Sequence, residues 1–405
     1  MDALRELIEL VSAKRLKLAG EPEFPDTRMA RLYQAIASGT IKDDAAAQAA
    51  FFPNAKSIVP YQRLKLGLKK HLYRMLFLVD LNEPNYQLWQ QAYFECHRNW
   101  GVVKLLVGKH AKASTLELAS ELLQMSRKYD FTDIALDVTR ILRLQYGSIL
   151  GDLKRYDQYV ALATHLEAVV QAENKAEALY TDLVVRFVNN KSAKEDVHKQ
   201  ALEFYRQIES SLDEYETYRL HLCGRLIEVL IYSSINDYKN TVTVCDRAIR
   251  FFESRPYIAN VPLQAFYQQA MVCYIQLRDY EQGRVVASRG MKLLNEGTFN
   301  WFKYQELLLV LALHTKAYQE AYQVFKAAVT HRKFGALPAH AQQIWKINEA
   351  YLYYLMELGL IKKQPEAQDD QLMSRFRMAR FVNETPLYSK DKRGLNIPIL
   401  IFQIV

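Results

Sequence analysis

Apolar side chains recur along this chain at steps of three and four, the signature of helices with one buried face. Residues 2–19 alternate Leu, Ile and Val with Arg, Lys and Glu in this way. The stretch GEPEFPD at 20–26 carries two prolines and ends that helix. The same spacing predicts helices at 28–38, 43–52, 61–81, 85–98, 102–109, 114–128, 132–146, 153–171, 174–189 and 193–211. Pro53 and Pro60 bracket a break, and Pro84 suits the first turn of the helix beside it. No strong strand pattern occurs before residue 395.

Past residue 215 the pattern becomes regular. Three helix–turn–helix units, beginning at Tyr215, Val261 and Asn300, can be laid over one another. Each has a first helix, a short polar or small break, an aromatic, and a second helix. The turn aromatics Tyr238, Tyr280 and Tyr318 are spaced 42 and 38 residues apart, a period of stacked helical pairs. Three residues after each stand Thr241, Gly283 and Ala321, and ten after each stand Ala248, Gly290 and Ala328. Positions seven apart share a helix face. Small side chains there let the two helices of a unit approach closely. Val229, Met271 and Leu309, nine residues before each tyrosine, form the facing apolar row.

These units resemble tetratricopeptide-type repeats over roughly residues 216–332, through the DY-x-x-small pattern and the small residue seven further on. The family's first-helix Trp and Gly are absent, with Tyr267 where the Trp would stand. The resemblance implies an all-α, right-handed solenoid of antiparallel helical hairpins acting as a protein-interaction scaffold. It also implies that ligands meet the first-helix face, fifteen, twelve, eight, five and four places before the turn tyrosine. That face holds Ala265, Gln268, Val272, Ile275 and Gln276 in the second unit. In the third it holds Lys303, Glu306, Val310, Leu313 and His314, and in the first Cys223, Leu226, Leu230, Ser233 and Ser234. Gln268, Gln276, Lys303, Glu306 and His314 are the candidate binding residues. The row lacks a Lys/Arg/Asn clamp for a peptide carboxylate, so the expected ligand is an extended mixed peptide or a partner helix. Weaker echoes at 128–142 and 154–167 extend the solenoid upstream, and 338–363 reads as its closing helix. The expected organisation is N-terminal helices and linkers (1–59), degenerate hairpins with a basic face (60–215), repeats with a closing helix (216–361), and a linker, basic helix and apolar tail (362–405).

Composition supports the helical reading. Among 405 residues half are apolar, with only 14 Gly and 11 Pro, too few for the turns of sandwiches, barrels or βαβ domains. No apolar run approaches the roughly 20 residues of a membrane span. The first residues carry acids inside their apolar stretch, unlike a signal peptide. Four cysteines without a CxxC point to free thiols in a reducing compartment, hence a cytoplasmic protein. The 26 tyrosines read chiefly as core packing, and otherwise as peptide contact area.

The net charge of +8 is concentrated. Residues 60–112 hold nine basic and three acidic residues, and 371–405 hold six and two. In the first patch Arg63, Lys70 and Arg74 share a helix face. A solvated face explains such patches; the alternative is a nucleic-acid-associated regulator using 60–112 and 371–393. No catalytic, phosphate-binding or cofactor motif occurs: there is no GxGxxG, P-loop, HExxH, GxSxG or EF-hand loop. No enzymatic activity, cofactor or metal is therefore expected. Cys96–His97 and His221-x-Cys223 have no evident second half of a zinc site. The final LNIPILIFQIV is apolar, and is expected to dock on the last helices or to continue into further chain.

Overall fold

A computed structural model describes residues 1–12, 24, 26–55, 57–81, 87–188 and 193–362. The expected 371–393 patch and apolar C-terminal segment lie outside the described residues. All regular elements among the described residues are helical, and most helices adjacent in the chain pack on one another. Two compact units divide between Leu166 and Glu167.

In the first unit, α1 (Asp2–Ser12), α2 (Thr27–Ala37), α3 (Asp44–Phe51) and α4 (Val59–Leu76) enclose one core. Leu4, Ile8, Leu32, Leu68 and Leu72 are fully buried in it. Asp26 and Asp43 cap α2 and α3 by accepting bonds from Arg28 N and Ala46 N. Pro60 falls in the first turn of α4, where its missing N–H is harmless, so it opens this helix and does not interrupt it. Next come α5 (Leu88–Gly108), α6 (Lys112–Lys128) and α7 (Thr132–Leu144), which contact one another. A single π-helical turn, Gln145–Ile149, follows α7.

Two helices are longer than the sequence pattern predicts. The expected pair 85–98 and 102–109 is one helix, α5, because Gly101 alone does not stop it. A mid-helix Gly costs only about 1 kcal/mol. The expected pair 153–171 and 174–189 is likewise one helix, α8 (Leu153–Leu183), followed by a π-helical turn, Val184–Val188. The residues between, QAEN, contain neither Gly nor Pro to end it. The echo at 154–167 therefore lies inside a helix and contains no turn.

The second unit, described to Lys362, continues from α8 through α9 (Lys194–Arg206) and α10 (Glu209–Glu214). It then runs through α11 (Tyr218–Ser234), α12 (Tyr238–Glu253), α13 (Asn260–Leu277) and α14 (Tyr280–Met291). The last helices are α15 (Phe299–His314), α16 (Tyr318–Val329) and α17 (Ala339–Glu357). Each helix from α11 onward contacts the next, and α13 also contacts α15. Tyr238, Tyr280 and Tyr318 each occupy the first position of a helix. Val229, Met271 and Leu309 are buried, as are Thr241, Gly283, Ala321, Ala248, Gly290 and Ala328.

The small residues have a wider role than pairing within a unit. A Cβ on Gly283 would overlap a δ-methyl of Leu311 and approach Tyr274 Cβ at 3.3 Å. A Cβ on Gly290 would overlap the ring of Tyr304. Leu311 and Tyr304 belong to α15, so the closest approach is to the first helix of the following unit.

One joint geometry recurs. His110, Asp130, Asn236, Arg278 and Lys316 have φ between 56° and 63°. The next residue's N–H closes the preceding helix onto a carbonyl five back: Ala111 to Leu106, Phe131 to Ser126, Asp237 to Tyr232, Asp279 to Tyr274 and Ala317 to Ala312. This left-handed cap satisfies a helix's final carbonyls, usually with Gly at that place. None of these five residues is Gly.

Candidate functional site

The exposed faces of α13 and α15, with α17, border a hollow of about 570 Å³. Its floor is apolar: Phe302, Leu337, Ala341 and Trp345, all buried. Its rim is polar: Gln268 from α13, Asn300, Lys303 and Glu306 from α15, and His340 from α17. Lys303 Nζ donates to Glu306 Oε1 at 2.7 Å, one helical turn apart. The floor is held by aromatic edges. Phe334 meets Phe302 at 6.0 Å and Trp345 at 6.3 Å between ring centroids, and Trp345 leans on Phe325 at 6.2 Å. The α13–α15 wall is fixed by Tyr304, whose hydroxyl donates to Gln264 O at 2.6 Å. Burial pushes the Tyr304 phenol above its ordinary pKa, so it remains a donor.

Three of the five candidate binding residues, Gln268, Lys303 and Glu306, thus border one hollow. Gln276 and His314 are exposed near the ends of α13 and α15, outside it. Within the same counted rows Ile275 and Cys223 are buried, so not every place on the row faces solvent. The contribution of α17 was not found from sequence. No turn tyrosine follows this helix, so the count that locates the face has no origin there.

A second hollow of about 800 Å³ lies along α8, lined by Asn174, Glu177, Thr181, Asp182, Arg186 and Arg219 among others. Arg219 is held there by buried Glu173 at 3.0 Å and by Asn174 at 2.9 Å, and Thr217 Oγ1 donates to Glu173 at 2.6 Å. Helix α11 also buries an ion pair that the sequence pattern does not announce. Arg225 donates to Glu228 Oε2 at 2.7 Å and to Tyr205 Oη at 3.2 Å. Arg247 of α12 donates to the other oxygen, Glu228 Oε1, at 2.8 Å. These charges tie α11 to its neighbours.

His221 stacks on Phe251, with ring centroids 3.8 Å apart, and donates from Nε2 to Tyr215 O at 3.2 Å. Burial, aided by the charge of Arg225, lowers its pKa to about 4, so the ring is neutral. All four cysteines are buried, unpaired thiols. Burial pushes Cys96 up to about 12 and Cys223 and Cys273 up to about 11, leaving little thiolate to react. Among the described residues no three His, Cys, Asp or Glu side chains are grouped to hold a metal ion.

Arg63, Lys70 and Arg74 stand exposed on α4. Lys65 differs from them: its ammonium donates to Asp44 at 2.7 Å, and this bond holds the Asp44 carboxyl well below the usual range. Among the described residues no helix is long and apolar enough to cross a membrane.

No protein-family model matches the chain, and no curated protein matches it.

Proposed function

We propose that this chain is a non-enzymatic interaction scaffold, a right-handed solenoid of tetratricopeptide-like hairpins. Its first-helix face takes an extended peptide or a partner helix. The observation that carries this reading is the hollow bordered by α13, α15 and α17, alternate helices in the chain. An apolar floor with a polar rim suits a ligand that buries alternate side chains and leaves its backbone or polar groups at the edge. Phe299 and Ile344, apolar lining residues that keep accessible surface, offer anchoring contacts, while Gln268, Asn300 and His340 supply hydrogen-bonding groups. The Lys303–Glu306 pair presents both signs of charge, which favours a peptide of mixed polarity over a purely acidic one. Four buried thiols suit a reducing compartment such as the cytoplasm.

Selection of binders from a random displayed-peptide library tests this. Enriched peptides should lose roughly tenfold or more in affinity for a chain carrying Gln268→Ala, Lys303→Ala and Glu306→Ala together. The helical circular dichroism of that variant should be unchanged, because these side chains lie at the rim. Peptides that bind the triple variant as well as the parent would contradict the assignment.

A further inference from the structure

We infer that α4 docks the protein on an anionic lipid surface, its exposed apolar strip entering the headgroup layer between flanking cations. The observation is a second apolar face on a helix that already has a buried one. Tyr61, Leu64, Leu68, Leu72 and Met75 of α4 pack into the core. At about 100° per residue, Val59, Leu66, Tyr73 and Phe77 lie on the opposite side, within a wedge of about 40°. All four are exposed, Leu66 at 53% and Phe77 at 64%. Phe77 caps the helix in αR geometry and so continues the strip.

Cations border this strip on both sides. Lys70, Arg63 and Arg74 occupy the adjoining wedge on one flank, again about 40° wide. Lys69 lies on the other flank, its ammonium 5.6 Å from the centre of the Tyr73 ring. Helix α4 contains no acidic residue. Arg63, Lys70 and Arg74 make no ion pair with any described carboxylate, whereas the inward Lys65 is neutralised by Asp44.

The charge calls for an anionic partner, and the strip decides which kind. A nucleic-acid backbone takes up lysine and arginine but offers nothing to Leu66 or Val59. A second copy of this chain would bring Arg63, Lys70 and Arg74 against their own equivalents. A bilayer surface satisfies both groups at once. Aliphatic and aromatic side chains enter the acyl boundary, and the long cationic side chains reach the phosphates beside them. Such a helix lies on the membrane and does not span it.

Flotation of the full chain with lipid vesicles tests the proposal. With phosphatidylcholine containing phosphatidylglycerol, the protein should float, and less so as salt is raised; with phosphatidylcholine alone it should remain at the bottom. Arg63→Gln, Lys70→Gln and Arg74→Gln together should weaken vesicle binding roughly a hundredfold. Leu66→Ser with Phe77→Ser should also abolish flotation although every cation remains. All five positions are exposed, and unchanged helical circular dichroism checks that each variant is folded. Absence of flotation by the parent chain would overturn the proposal. So would a Leu66→Ser, Phe77→Ser variant that floats like the parent, or parent chain that binds poly(U) RNA or duplex DNA but no anionic vesicle.

Discussion

Helices α5–α7 and α11–α16 are joined by the same left-handed cap, used at different frequencies. In α5–α7 it forms both joints, at His110 and Asp130, and these lie 20 residues apart. In α11–α16 it forms alternate joints, at Asn236, Arg278 and Lys316, while loops 254–259 and 292–298 form the others. Both stretches solve one problem, satisfying the last carbonyls of a helix before an abrupt change of direction. The regular period after residue 215 therefore comes from the alternation of two joints, together with small residues where neighbouring helices come closest. The tight joint alone does not create a repeat of about 40 residues.

The largest expected effect concerns what α11 has and α5–α7 lack among the described residues: a buried ion pair. Glu228→Ala leaves Arg225 buried without its carboxylate. We expect a loss of about 3–5 kcal/mol in urea unfolding of the full chain. A loss within the range of an exposed substitution would show that Arg225 finds another partner or water.

Next come the close approaches. Gly290→Ala should destabilise by about 1–3 kcal/mol, because the Tyr304 ring it would strike is buried and tied by its hydroxyl to Gln264. Gly283→Ala should act in the same direction against buried Leu311, and Ala321→Leu and Ala328→Leu should overpack their sites similarly. By contrast Gly101→Ala in α5, where an added Cβ meets nothing within 4 Å, should stabilise by about 1 kcal/mol through helix propensity. Thermal melts of the Gly290 and Gly101 variants shifting the same way would remove the distinction between the two stretches.

A pH effect of intermediate size follows from His221. Its folded pKa, about 4, lies below the ordinary value of 6.5, so the unfolded chain binds the extra proton first. Stability from this site is complete above pH 6.5 and is lost as pH falls towards 4, levelling off below. His221→Phe keeps the stack on Phe251 and removes the proton site. The parent's urea midpoint should therefore fall more steeply between pH 6.5 and 4 than the variant's, and parallel curves would contradict a buried neutral ring.

The smallest effect tests the shared joint itself. His110→Gly and Arg278→Gly should each stabilise by up to about 1 kcal/mol, since both side chains are exposed and both backbones are left-handed. Melting temperatures that rise for one and not the other would show that the two joints differ in more than position.

Much of α11–α16 was legible because its signals are local. The tyrosines at 238, 280 and 318 mark helix starts, and the apolar row Val229, Met271 and Leu309 marks the buried side. In α5–α8 the same reasoning divided helices that the structure keeps whole, because a polar stretch such as QAEN imitates a break without containing a residue that enforces one. The left-handed joints were hidden by their residue types, which include His, Arg and Lys where Gly is usual. Arg225 and Glu228 look like an ordinary solvated pair along the helix, and only packing by α9 and α12 buries them. Gln268, Lys303 and Glu306 were reached by counting from a tyrosine, whereas Trp345 and His340 depend on α17, packed on α16, bordering the same hollow.

Amide hydrogen exchange with a library-selected peptide tests the binding surface most directly. If the peptide occupies the hollow, exchange should slow in α13 around Gln268, in α15 from Asn300 to Glu306 and in α17 from His340 to Trp345, with α4 unaffected. Protection confined to other helices, with these three segments unchanged, would contradict the proposal that this face binds a partner.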